Sequence, residues 1–127
     1  MGKVQRISCK ACETSWQCET GLGRGHLMLE SVASCFSSPV QEELLDYGKM
    51  RNILPGFRFS YQLAGCPICR KVVSVPVILW GEPERLTVGE CPMCDGTVQT
   101  FSELNTETCP SCHEKGMLQT EEIGLWD

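Results

Sequence analysis

The spacing of apolar residues changes character along this chain. Val40, Leu44 and Tyr47 fall on one helical face with Arg51, and Leu45 sits beside them. Ser38-Pro39-Val40-Gln41 predicts the start of that helix, with Ser38 as N-cap, Pro39 at the first helical position and Gln41 at the third. Pro55-Gly56 closes it. Residues 26–36, with Leu27, Leu29, Val32, Ala33 and Phe36 apolar, predict a second helix just before it. After Gly56 the period drops to two. Phe57, Phe59, Tyr61 and Leu63 alternate with Arg58, Ser60 and Gln62, as in a half-buried strand. Val72–Leu79 is rich in β-branched residues and predicts a second strand, in which Pro76 implies an edge or a bulge. Gly81-Glu82-Pro83-Glu84 reads as a turn, and Arg85–Val88 as a short strand. Thr97–Phe101 and Gly116–Ile123 are the last strand candidates.

These elements are punctuated by cysteine. Four pairs share one spacing: Cys9-Lys10-Ala11-Cys12, Cys66-Pro67-Ile68-Cys69, Cys91-Pro92-Met93-Cys94 and Cys109-Pro110-Ser111-Cys112. Two cysteines three positions apart can share one tight turn and aim both sulfurs at one point, about 2.3 Å from a common ion. Backbone N–H groups in such a turn can donate to the sulfurs. Proline after the first cysteine, as in Pro67, Pro92 and Pro110, presets φ for the turn. Two such knuckles face to face make a closed four-thiolate site, and closed sites are structural because no position remains for water or substrate. The eight candidate ligands are therefore Cys9, Cys12, Cys66, Cys69, Cys91, Cys94, Cys109 and Cys112, enough for two Zn²⁺ per chain. A thioredoxin-like redox pair normally occurs once, between a strand and a helix, so four copies at strand tips argue against it.

The four knuckles and their adjoining strands resemble the zinc-ribbon superfamily of knuckle–hairpin–knuckle modules. The first half, a CxxC and a CPxC flanking a helical segment, is loosely similar to bacterial CpXC-type domains. Two departures stand out. The first knuckle lacks proline, and the position after the second cysteine, often glycine in ribbons, holds Glu13, Arg70, Asp95 and His113. The resemblance implies a small metal-stabilised α+β fold: two zinc ribbons built on antiparallel hairpins, with a helical insertion in the first. Residues 1–80 would form the first ribbon, carrying the insertion over about 26–52, and residues 81–127 the second.

The gaps between the pairs are 53, 21 and 14 residues. The short last gap favours joining the third knuckle with the fourth, which leaves the first to join the second across a long but entropically affordable loop. The rival joins second with third across Val72–Val88, leaving first with fourth. A RING-like cross-brace lacks its compact Cys–His spacing.

Other residues invite a functional reading and have a plainer one. Cys18, Cys35 and His26 stand outside the knuckles, and a buried cysteine more often acts as a small hydrophobe. His113 adjoins Cys112 but reads as a surface residue. Gly21–Gly25 resembles a phosphate loop without the flanking strand and helix such a loop needs. Trp16, Trp80 and Trp126 suit base stacking, but more often fill cores or interfaces.

Charge narrows the partners. The formal net charge is −5, and residues from Asp95 onward hold seven acids against Lys115 alone. Such a chain is repelled by a phosphate backbone, so any polyanion site would sit near Lys3, Arg6, Lys10 and Arg24. Residues 1–6 carry no apolar run of the signal-peptide kind, and no stretch approaches the roughly 20 apolar residues that span a bilayer. Reduced thiols then predict a cytoplasmic protein with no membrane partner. There is no HExxH, no P-loop, and only two histidines are available for base chemistry. The expected function is a non-enzymatic, protein-binding adaptor stabilised by two Zn(Cys)₄ sites. The alternatives are a nucleic-acid-binding, transcription-associated ribbon and a rubredoxin-like electron carrier with iron in the same sites.

Overall fold

The computed structural model describes residues 2–22, 29–50, 57–81 and 83–126. In chain order the elements are β1 (Gly2–Cys9), β2 (Ser15–Thr20), α1 (Leu29–Ala33), α2 (Ser38–Met50), β3 (Phe57–Cys66), β4 (Lys71–Trp80), β5 (Arg85–Val88), β6 (Gln99–Thr100), a 3-10 turn (Leu104–Thr106) and β7 (Leu118–Trp126). This is a small α+β fold whose strands pair antiparallel. Residues 26–28, Arg24, Arg51, Pro55-Gly56, Glu82 and His26 lie outside the described residues.

The strands form two sheets, ordered β2-β1-β7 and β5-β4-β3-β6. Each sheet draws strands from both sides of the expected boundary at residue 80. β7 joins the N-terminal strands, and β5 and β6 flank the β3–β4 hairpin. That hairpin follows the alternating pattern closely. Phe57 pairs with Trp80 at its open end and Cys66 with Lys71 at its tip.

Pro76 lies inside β4, opposite Tyr61. It is tolerated because β5 stops short: the last pair on that side is Val77 with Val88. The Pro76 carbonyl still accepts the Gly89 N–H at 2.7 Å. A side chain at 89 would collide with the proline ring, since its Cβ would stand 2.5 Å from Pro76 Cγ. The expected edge is thus local, left by a short neighbour.

Helix α2 begins slightly earlier than expected. The first helical bond runs from Gln41 N–H to the Ser37 carbonyl at 2.8 Å, so Ser37 rather than Ser38 is the N-cap by backbone bonding. Leu44 is fully buried, and Val40, Leu45 and Tyr47 flank it. With Leu29, Val32, Ala33 and Phe36 they cover Phe59, Ile78 and Trp80 of the larger sheet. Gly48 lets the two helices approach closely, because a Cβ there would meet Leu29 Cδ2 at 2.9 Å. Tyr47 packs edge-on to Trp80 at 5.4 Å. The indole of Trp80 donates to Thr87 at 3.0 Å, and the Arg85 guanidinium covers its ring at 4.0 Å. Arg85 also reaches Glu43 of α2 at 3.6 Å.

β2 alternates, with Trp16, Cys18 and Thr20 less exposed than Ser15, Gln17 and Glu19, whereas β1 carries no clear two-residue alternation and pairs irregularly with β7. Val4 pairs with Gly124 but Gln5 pairs with Glu122, so Ile123 is an extra residue in β7. A bulge of this kind leaves the extra residue unpaired, disrupts the ladder locally and bends the strand that carries it. In β1 itself Gly2, Ile7 and Cys9 are buried. Lys3–Glu122 and Arg6–Glu121 ion pairs run across the same strands at 3.6 and 3.7 Å.

Candidate metal centres

Each cysteine pair is held by the same local hydrogen bonds. The carbonyl of the first cysteine accepts the N–H four residues on: Glu13 to Cys9, Arg70 to Cys66, Asp95 to Cys91 and His113 to Cys109, all at 2.8–2.9 Å. The N–H of the first cysteine bonds five residues on in three knuckles: Cys9 to Thr14, Cys91 to Gly96 and Cys109 to Glu114, at 2.9–3.0 Å. In the remaining knuckle Cys66 pairs with Lys71 at the hairpin tip. Closing so tight a turn forces its last residue into the left-handed region. Glu13, Arg70, Asp95 and His113 have φ of 60°, 58°, 59° and 67°. The residues that stand where ribbons often place glycine adopt glycine's conformation.

In every knuckle the first cysteine is buried and the second partly exposed. The sulfurs gather in two groups, Cys9, Cys12, Cys109 and Cys112, and Cys66, Cys69, Cys91 and Cys94, each group lying within 4.8 Å of one another. The eight cysteines expected as ligands all fall in these two groups. The expected pairing is corrected: the first knuckle faces the fourth and the second faces the third. The reason is strand pairing. β7 lies against β1 and carries the fourth knuckle to the first, while β5 pairs with β4 and delivers the third to the second.

In the first, outer group Cys9 and Cys112 sulfurs stand 3.6 Å apart and Cys12 and Cys109 3.9 Å apart. In the inner group Cys66 and Cys94 are 3.5 Å apart and Cys69 and Cys91 3.9 Å apart. A disulfide needs about 2.05 Å. A tetrahedron with metal–sulfur bonds of about 2.3 Å has edges of about 3.8 Å. The two groups can therefore hold metal ions, and their donor set is four thiol sulfurs. Backbone N–H groups of Cys69 and Met93 approach the Cys66 and Cys91 sulfurs at 3.4 and 3.5 Å.

Without a cation, four thiols this close cannot all ionise. Cys12 is pulled down to about 6, chiefly by hydrogen bonds from Thr14, whose hydroxyl oxygen lies 3.3 Å from its sulfur. The Cys69 N–H draws Cys66 down to about 7. Their neighbours go the other way. Hydrogen bonding to the Cys94 sulfur, with burial, pushes Cys69 up to about 12. At Cys112 the Glu114 N–H favours the thiolate, but burial and the Cys9, Cys109 and Cys12 sulfurs outweigh it and raise the group to about 12. A divalent cation reverses this balance by stabilising every thiolate at once.

The remaining candidates take plainer roles. Cys18 is buried among Ile7, Val72 and Leu118, with its sulfur 3.6 Å from the Val72 carbonyl. Cys35 lies 3.4 Å from the Tyr61 hydroxyl. Neither joins a metal-ligating group among the described residues, nor does His113. Trp80 is core, the Trp126 indole donates to the Thr20 carbonyl at 2.9 Å, and Trp16 packs against the outer cluster. Thr14 carries no signal in the sequence, because its importance lies in its contact with Cys12.

No protein-family model, curated protein or solved structure matches this chain. The two four-cysteine clusters fit a zinc-ribbon-like arrangement. No helix among the described residues is long and apolar enough to cross a membrane.

Proposed function

We propose that this chain is a non-enzymatic zinc protein, in which one Zn²⁺ in each four-thiolate cluster clamps the fold and the surface around it binds other proteins. The observation that carries the metal is the sulfur geometry, with contacts of 3.5–3.9 Å against an ideal edge of about 3.8 Å. Four protein ligands fill a zinc coordination sphere, so the ion's role is structural rather than catalytic. Apparent free energies for such sites are on the order of 10–16 kcal/mol, comparable to the whole stability of an ordinary domain at about 5–15 kcal/mol.

Charge supports a protein partner over nucleic acid. Eight thiolate charges offset by two divalent ions take the formal −5 to about −9. Lys3 and Arg6, two of the four cations a nucleic-acid site would use, are engaged by Glu122 and Glu121.

Elemental analysis with a visible spectrum tests the metal. About two zinc per chain and no colour support the proposal. Iron with visible absorption would favour the rubredoxin-like electron carrier, and a protein free of metal would overturn both. A salt titration separates the partners: tight nucleic-acid binding with a steep salt slope, and no protein recovered by pull-down, would sink the adaptor role.

A further inference from the structure

We propose that the two centres load in order. The inner cluster of Cys66, Cys69, Cys91 and Cys94 takes its ion first, and the outer cluster of Cys9, Cys12, Cys109 and Cys112 assembles on the surface that the inner one folds. This rests on both clusters holding metal.

The chain path is nested. The inner cluster joins Cys69 to Cys91, 22 positions apart, whereas the outer joins Cys12 to Cys109, 97 apart. The inner site lies wholly within the loop that the outer site must close. With a closure probability falling as the three-halves power of length, the outer site starts at a roughly ninefold disadvantage.

The packing is asymmetric in the same sense. The core around the inner cluster is built from Ala64, Val73, Val75, Val77 and Val98, all between residues 64 and 98. The core around the outer cluster needs Leu63 and Val72, which belong to the hairpin whose tip is the second knuckle. The inner site therefore has its walls without β1, β2 or β7. The outer site lacks part of its floor until the β3–β4 hairpin is in place.

Polar contacts join the two. Arg70, the residue after Cys69, donates from its guanidinium to the Ser111 carbonyl at 2.7 Å, and Ser111 stands between Cys109 and Cys112. The Phe101 N–H donates to the Leu63 carbonyl at 3.0 Å. The Cys18 thiol reaches the Val72 carbonyl. Fixing the second knuckle with metal fixes Arg70 and Val72, and so favours the outer site. By linkage, an ion in the outer site tightens the inner one by the same factor.

The test uses the full chain, with cadmium as the probe, followed by cadmium NMR and native mass spectrometry. Cys12→Ser with Cys112→Ser should still bind one ion and keep dispersed amide signals from β3 to β5. Cys69→Ser with Cys94→Ser should bind none at concentrations that saturate the wild type. An inner-site variant that holds one ion as tightly as the wild type would overturn the order. A second variant keeps all eight ligands. In Arg70→Ala, chelator should remove the outer ion at a concentration roughly three- to tenfold lower than in the wild type, with the inner resonance retained. Equal loss of both ions, or no change in either, would overturn the coupling. A wild type that binds no metal would overturn the metal assignment itself, and is distinguished by a mass spectrum showing only the metal-free chain.

Discussion

The backbone N–H of Lys10 donates to the carbonyl of Met117 at 2.9 Å. This bond ties the first knuckle to the segment entering β7, and it accounts for a departure visible in the sequence. The other three knuckles place proline after the first cysteine, and proline has no N–H to give. Lys10→Pro would make the first knuckle match the others, yet it should destabilise the metal-loaded protein by about 1–3 kcal/mol. Lys10→Ala keeps the N–H and should stay within about 0.5 kcal/mol of the wild type. Thermal melts of the two variants check this, and equal melting temperatures would refute it.

The left-handed residues give a prediction of opposite sign. A residue with a Cβ pays about 1–2 kcal/mol in that region, while glycine costs about 0.5–1 kcal/mol in chain entropy. Glu13→Gly, at φ 60°, should therefore stabilise by about 0.5–1 kcal/mol. Arg70→Gly, at φ 58°, should not gain, because it also loses the bond to Ser111. Denaturant midpoints measured at saturating zinc distinguish the two cases.

Metal affinity should fall as pH falls, because protons and metal compete for the same sulfurs. At pH 7 the metal-free clusters hold protons on Cys69 and Cys112, both raised to about 12, while Cys12, at about 6, is mostly thiolate. Binding then releases protons. Below about pH 6 Cys12 is protonated as well, so binding then displaces one more proton per outer ion and the affinity falls more steeply with pH. Calorimetry in buffers of different ionisation enthalpy counts those protons. A pH-independent affinity would contradict thiolate ligation.

The two cysteines outside the clusters should differ in reactivity. Burial pushes Cys18 up to about 11, so at pH 8 only about one molecule in a thousand carries its thiolate. Cys35 is partly exposed. In zinc-loaded protein an alkylating reagent should modify Cys35 well before Cys18, as read by peptide mass spectrometry. Equal labelling rates would show that the β2 surface opens readily.

Much of the local structure was legible without coordinates. The β3–β4 hairpin, β5 and α2 follow apolar periods that burial imposes directly, and Arg85–Val88 forms the strand expected there. β1 and β2 were harder to see. The bulge at Ile123 interrupts the pairing register with β7, and β1 offers only Val4 and Ile7 as branched apolar residues. The one sequence trace of the β1–β7 pairing is electrostatic: a basic N-terminal stretch and an acidic C-terminal one, which meet as Lys3–Glu122 and Arg6–Glu121.

The sequence by itself picked out the eight cysteines that cluster, because a knuckle is a local object. Its turn is closed by hydrogen bonds spanning four or five residues, and its cysteine spacing records that turn. Only the tertiary structure decided which knuckles face each other. Loop length discriminates weakly between pairings, since doubling a loop costs only about 0.6 kcal/mol. The decision fell instead to strand pairing between segments far apart in the chain, Gly2–Cys9 with Leu118–Trp126 and Lys71–Trp80 with Arg85–Val88. Beyond the opposed charge of the two chain ends, neither spacing nor composition encodes that partnership.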